Sequence, residues 1–164
     1  MSRFDNLPPP SGKGVDLGSP DATLHRYFIA ANKMRIRFDN TLAKPEILKR
    51  LEDAESMDAE SLTKLMLELH LDDYGVFMYY WYAALYVVIE GFKELQLRDA
   101  KIEWLLQSPN VDALKRLRNA TFHFQKEFVS RKIFPFLASK DSAEWIRSLT
   151  EAFSEFFLRK PTPY

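Results

Sequence analysis

The sequence predicts an all-α protein, a bundle of helices behind a Pro/Gly-rich arm. Beyond residue 20, apolar residues recur at spacings of three and four, which line one face of a helix. No segment shows the period-two alternation of a half-buried strand. Hydrophobic residues make up 46% of the 164 positions and aromatic residues 14%, enough for a packed core. We therefore expect a flexible arm over 1–20 and one helical domain over 21–164.

The first helices follow from prolines and capping residues. The arm is rich in proline and glycine, a composition that predicts no regular structure. Ser19 then offers an N-cap, so a first helix is expected over 19–40. Pro45 interrupts it. Two shorter amphipathic helices are predicted next, over 45–54 and 58–71.

The longest predicted helix covers 73–97, and its apolar residues point nearly all round, as in a helix buried on several sides. Its uncharged stretch, 76–89, is shorter than the about twenty residues that a membrane span requires. A buried central helix is therefore predicted. The chain starts without an apolar signal segment and has no cysteine, so we expect a cytoplasmic protein.

Three further helices complete the prediction: a short one over 99–106, a longer one over 111–130, and a last one that begins after Ser139 or Asp141. The last helix should bury one wide apolar face. This face comprises Trp145, Ile146, Leu149, Ala152, Phe153, Phe156 and Phe157.

The helix predicted over 111–130 has two contrasting faces. Ser108 is its expected N-cap, with Pro109 at the first helical position. The apolar stripe comprises Leu114, Leu117, Thr121, Phe124 and Phe128. The opposite face carries Lys115, Arg116, Asn119, His123 and Lys126, with Arg118 on the flank. Packing does not require such a polar stripe, so it points to a function.

Charge is unevenly distributed along the chain, although the formal net charge is zero. Segment 115–132 holds six basic residues and one acid, whereas segment 52–73 holds eight acids and one base. Either the two segments neutralise each other in the fold, or the basic segment receives phosphates and the acidic one faces elsewhere.

The segment Arg118-Asn119-Ala120-Thr121-Phe122-His123 carries an Arg-Asn-x-x-x-His pattern. It resembles the R-x4-6-H motif of the HEPN superfamily, in which a polar residue such as Asn often follows the Arg. The end of the 73–97 helix is also similar to a HEPN helix in which an apolar run leads to Ile-Glu and a small residue. Here these are Ile89, Glu90 and Gly91, and Glu90 is a candidate to pair with an Arg. An ordinary amphipathic helix explains that segment equally well.

The resemblance implies a small all-helical domain and, as in many HEPN proteins, a metal-independent endoribonuclease that dimerises to bring two motifs together. The ribose 2′-OH would attack the adjacent phosphate, with His123 as proton acceptor, Arg118 on the phosphate oxygens and Asn119 orienting either group. Arg118 and His123 lie about 140° apart on an ideal helix. One helix would not close a site, so a homodimer is expected. The expected RNA contacts are Lys115, Arg116, Phe122 and Lys126.

Two alternatives remain open. A HEPN-like module could bind RNA or a protein without cleaving either. The motif could also be a coincidence in a helical interaction domain, with His123 at the surface and Arg118 in a salt bridge. Phe122 could stack on a base, contact a partner or fit a neighbouring helix. His25 and His70 are expected to be structural or surface residues.

A toxin or phage-defence role, with a protein antitoxin or regulator as partner, is compatible with the family. The HEPN subgroup that pairs with nucleotidyltransferase antitoxins has Tyr two residues after the His, and this chain has Gln125 there. That particular pairing is therefore disfavoured. No metal or other cofactor is expected, because the three histidines are scattered and the sequence lacks H-E-x-x-H, Glu-x-x-His, GxSxG and phosphate-loop patterns.

Overall fold

The computed structural model describes residues 18–127 and 131–159. Within these ranges it has eight α-helices, one 3₁₀ turn and no strand, so the all-α prediction is confirmed. The helices are α1 (Pro20–Leu42), α2 (Pro45–Asp53), α3 (Ala59–Leu71), α4 (Asp73–Glu94), α5 (Ala100–Leu105), α6 (Asn110–Phe122), α7 (Phe134–Leu137) and α8 (Ser142–Arg159). The 3₁₀ turn is Ala54–Ser56. Most of the predicted arm, 1–17, lies outside the described residues.

Side-chain caps set the start of three helices. Ser19, Asp58 and Asp99 each accept a hydrogen bond from the backbone N–H three residues later, at 3.2, 2.8 and 2.9 Å. These bonds satisfy donors that a helix leaves unpaired in its first turn. The bond from Ser61 also holds the pKa of the Asp58 carboxyl below its usual value. The predicted cap at Ser19 is confirmed.

Helix α4 is the axis of the bundle and packs against α1, α6 and α3. By length and composition it is the one helix within the described ranges that could cross a membrane, but 56% of its most apolar stretch is buried inside the bundle. Trp81, Leu85, Val88 and Ile89 are at most 1% exposed. Contacts with neighbouring helices therefore account for its apolar composition.

Helix α8 closes the core against α5 and α1. All seven residues predicted for its apolar face are buried. The Trp145 indole N–H donates to the Leu105 carbonyl at 2.9 Å, which ties α8 to the end of α5. A separate small cluster joins α2 to α3 through Ile47, Leu65 and Leu69.

The helix predicted over 111–130 begins within one residue of its predicted start and ends early. Ser108 Oγ accepts from the Asn110 N–H at 3.2 Å, which is the bond expected of an N-cap that is followed by Pro109 at the first helical position. Helix α6 ends at Phe122. Phe124, predicted on the buried stripe, is 93% exposed. Phe128, also predicted there, lies outside the described residues.

Side-chain hydrogen bonds from the following loop accompany the early end of α6. His123 has an extended backbone, with φ −115° and ψ 139°. The Gln125 amide donates to the His123 carbonyl at 2.8 Å and, more weakly, to the Asn119 carbonyl at 3.5 Å. Lys132 Nζ donates to Gln125 Oε1 at 3.1 Å. These side-chain bonds supply carbonyl partners at a helix end, where backbone donors are missing.

Candidate functional site

Arg118, in the last turns of α6, is held by two neighbours. Its Nη2 donates to Glu90 Oε2 of α4 at 3.0 Å, and its Nη1 donates to Asn119 Oδ1 at 2.9 Å. Its Nε is buried and has no hydrogen-bond partner among the residues that the structure describes. The side chain is 26% exposed. The guanidinium is therefore fixed in position and still reaches the surface.

Asn119 forms hydrogen bonds with the side chain of this arginine and with the backbone of the motif histidine. Its side chain accepts from Arg118, and its backbone carbonyl accepts from the His123 N–H at 3.1 Å. His123 is exposed. The structure thus brings the three motif residues to one helix end, with His123 outside the helix. Because His123 is not helical, the separation of about 140° from Arg118 on an ideal helix, from which a dimer is predicted, does not apply.

The predicted RNA contacts lie along α6 and in the loop after it. Lys115 and Arg116 are exposed on α6, and Lys126 is exposed in the following loop. Phe122 is 44% exposed and lies edge-to-face against Tyr80 of α4, with ring centroids 5.8 Å apart. Of the roles left open for Phe122, contact with a neighbouring helix is therefore observed.

Two residues of the acidic segment form ion pairs with an arginine that lies nearby in the sequence. Arg50 of α2 forms ion pairs with Glu68 at 3.0 Å and Asp72 at 2.9 Å. Arg118, from the basic segment, pairs with Glu90, which lies outside the acidic one. These pairs do not follow the expectation that the two segments neutralise each other.

Next to the motif lies a pocket of about 320 Å³ between the α3–α4 corner and the end of α6. His70 Nδ1 and Tyr79 Oη are 2.8 Å apart in its wall. Burial lowers the pKa of His70 and raises the pKa of Tyr79 to about 12, so both side chains are neutral at pH 7. A structural or surface role is predicted for His70 from the sequence, and this pocket is not predicted. The adjacent tyrosines at 79 and 80 were the signal, because they add hydroxyls to an otherwise apolar run.

Within 18–127 and 131–159, no group of three or more His, Asp or Glu side chains is placed to hold a metal ion.

No family model matches the chain, and no curated protein or solved structure is similar to it. The likeness to HEPN proteins therefore rests on the motif residues and on the Ile-Glu-Gly segment of α4.

Proposed function

We propose that this protein is a HEPN-type endoribonuclease that acts on RNA as a homodimer without a metal ion. The observation that carries the proposal is the end of α6, where His123 is exposed at the residue after the helix and the Asn119 side chain holds the Arg118 guanidinium in the last turns of the same helix. The exposed cations on α6 add positive charge for RNA phosphates beside it. The proposal includes a cytoplasmic site of action and a toxin or defence role controlled by a protein partner.

In the proposed reaction, His123 accepts the proton of a ribose 2′-OH, and the 2′-oxygen attacks the adjacent phosphorus. A bond forms between the 2′-oxygen and phosphorus, and the bond from phosphorus to the 5′-oxygen breaks. The leaving 5′-oxygen takes a proton from a second acid, which in a dimer is the imidazolium of the other copy. The products are a 2′,3′-cyclic phosphate and a 5′-hydroxyl.

Arg118 retains donors for the phosphate in this scheme. Each Nη of a guanidinium carries two N–H groups. Glu90 uses one on Nη2 and Asn119 one on Nη1, so one N–H on each nitrogen remains. These two donors suit the charge that develops on the phosphate oxygens.

In this proposal the dimer interface is formed by the loop after α6. Phe124 is 93% exposed directly after His123, and Phe134 is 51% exposed at the start of α7. Aromatic side chains are enriched in the cores of protein interfaces, where they lose their exposure to water. A second copy on this surface would bring its own His123 close to the first.

One observation favours a second candidate, a HEPN-like module that binds RNA or a protein without cleaving. The Glu90 carboxylate already balances the charge of Arg118 at 3.0 Å. A guanidinium that is already paired with a carboxylate attracts phosphate less strongly than an unpaired one. The same ion pair also joins α4 to α6, which is a structural role.

An RNA cleavage assay in EDTA tests the proposal. The wild type should cleave, and His123→Ala should lose about 10²–10⁴-fold in rate, the usual contribution of a positioned acid or base. Arg118→Ala should lose about 10²-fold or more. Arg98→Ala is the matched control, because Arg98 is 83% exposed beyond α4, and it should retain the wild-type rate.

Circular dichroism of each variant separates a lost catalytic group from a lost fold, since Arg118→Ala leaves Glu90 unpaired. RNA binding without cleavage by the wild type would replace the nuclease with the non-catalytic module. A wild type that neither binds nor cleaves RNA would overturn the nuclease and the RNA-binding module, and only a module that binds a protein would remain.

A further inference from the structure

The pocket beside the motif has the dimensions of a site for one small ring system. At about 320 Å³ it lies at the lower end of the range for ligand pockets, about 300–1,000 Å³. Thr121 of α6 and Gln125 of the next loop form its wall on the motif side. The Gln125 amide donates to the backbone carbonyl of His123 at 2.8 Å, so one lining residue of the pocket contacts the backbone of the candidate catalytic residue.

One side of the pocket provides a surface for stacking. Tyr80 is 47% exposed and Val76 is 41% exposed, and both line the pocket from α4. Phe122 holds the Tyr80 ring from the side by an edge-to-face contact, which fixes its orientation. Unstacked RNA bases bind to aromatic faces of this kind.

The polar groups of the pocket suit a neutral base and not a phosphate. No Lys or Arg is among its lining residues in the described part of the chain. The hydrogen-bonded pair of Tyr79 and His70 is uncharged, and the Gln125 amide is already engaged by His123 and Lys132. Glu127 supplies the one lining carboxylate.

We propose that this pocket binds the base next to the cleaved phosphate and that it selects guanine through Glu127. Guanine presents two adjacent N–H donors, on N1 and N2, which match the two oxygens of a carboxylate. Adenine, cytosine and uracil offer a carboxylate only one N–H-bearing position on that edge. The assignment of the base to the cleavage site rests on the proposed nuclease function, whereas guanine binding itself does not.

Binding of the four ribonucleoside 3′-monophosphates, followed by NMR titration of the full chain, tests the pocket. The phosphate and ribose are common to all four, so differences in affinity report the base. Guanosine 3′-monophosphate should bind about tenfold more tightly than the other three, the discrimination that one bidentate pair provides. Glu127→Gln should remove this preference, and Glu151→Gln, on exposed α8 surface, should retain it.

A second pair of variants tests the location. Val76→Trp fills the pocket from an exposed position, so the fold should persist while nucleotide binding falls at least about tenfold. Ile36→Trp places the same side chain at a position of similar exposure on α1, at 45%, and should bind as the wild type does. In cleavage assays, Glu127→Gln should also lose preference for cutting beside guanosine.

The outcomes separate this inference from the proposed function. Guanine-selective binding in a chain that cleaves no RNA supports the pocket and counts against the nuclease. Cleavage without a guanine preference in either assay overturns the inference and leaves the nuclease standing. Equal binding of all four nucleotides, or binding unaffected by Val76→Trp, also overturns it.

Discussion

The ion pair with Glu90 controls how strongly Arg118 can attract a phosphate. Glu90→Gln removes the carboxylate and keeps the shape of the side chain. We expect a loss of about 0.5 kcal/mol in the free energy of unfolding, because the pair is partly exposed and solvent weakens it. RNA affinity should rise at low salt, since Arg118 loses its neutralising partner. Urea unfolding and RNA titration at two salt concentrations measure these effects.

Glu94→Gln provides the control for that variant. Glu94 lies one turn further along α4 and is exposed, so its loss changes the charge of the same helix without touching Arg118. If the two variants show the same RNA affinity and the same stability, the ion pair has no bearing on the site.

His70 should make stability depend on pH. Burial lowers its pKa below the usual value of 6.5, so the unfolded chain binds the proton more tightly than the folded one. The stability due to neutral His70 is therefore fully present above 6.5 and falls as pH drops through the folded pKa. Between about pH 7.5 and about pH 5.5 the wild type should lose more free energy of unfolding than His70→Gln does. Parallel losses would contradict the assignment.

At the scale of elements, the α3–α4 corner depends on the absence of a side chain at Gly75. A Cβ there would collide with the Leu69 carbonyl oxygen and lie 2.7 Å from the His70 carbonyl oxygen. Both contacts are with backbone, which has little room to move. Gly75→Ala should therefore lower the free energy of unfolding by about 1–3 kcal/mol, as measured in urea.

Gly91 of α4 is the matched control for that substitution. A Cβ at Gly91 would meet the end of the Leu24 side chain at 2.5 Å, and a side chain can shift. Alanine also favours a helix over glycine by about 1 kcal/mol. Gly91→Ala should stay within about 1 kcal/mol of the wild type. Equal destabilisation by both variants would mean that the backbone contact at the corner is not the cause.

The helix that carries the motif illustrates how an element can be predicted in part. Its apolar spacing correctly gives a helix through Leu117 and places Leu114 and Leu117 in the core, where both are fully buried. The same spacing continues to Phe124, yet the helix stops at Phe122. Gln125, which bonds to carbonyls at the end of the helix, also accepts a hydrogen bond from Lys132. These two residues are seven positions apart, and no local pattern in the sequence predicts that they meet.

At the scale of the whole molecule, the proposed dimer makes a clear prediction. Phe124→Glu places a charge on the exposed loop after α6 and should convert a dimer to a monomer in light scattering, since burying an unpaired charge at an interface is costly. Trp104→Glu alters an aromatic side chain that is 70% exposed on α5 and should leave the dimer intact. A monomeric wild type would contradict the dimer directly.

The sequence by itself determined the all-helical class, the cap at Ser19, and the buried faces of α4 and α8. These follow from spacing, caps and prolines, which act over a few residues. Glu90 is predicted from the sequence to pair with an arginine, and only the tertiary structure decided that this arginine is Arg118, that His123 leaves the helix, and that His70 and Tyr79 share a pocket. These contacts join residues on different helices or on either side of a turn, and the distance between such groups depends on how the helices pack.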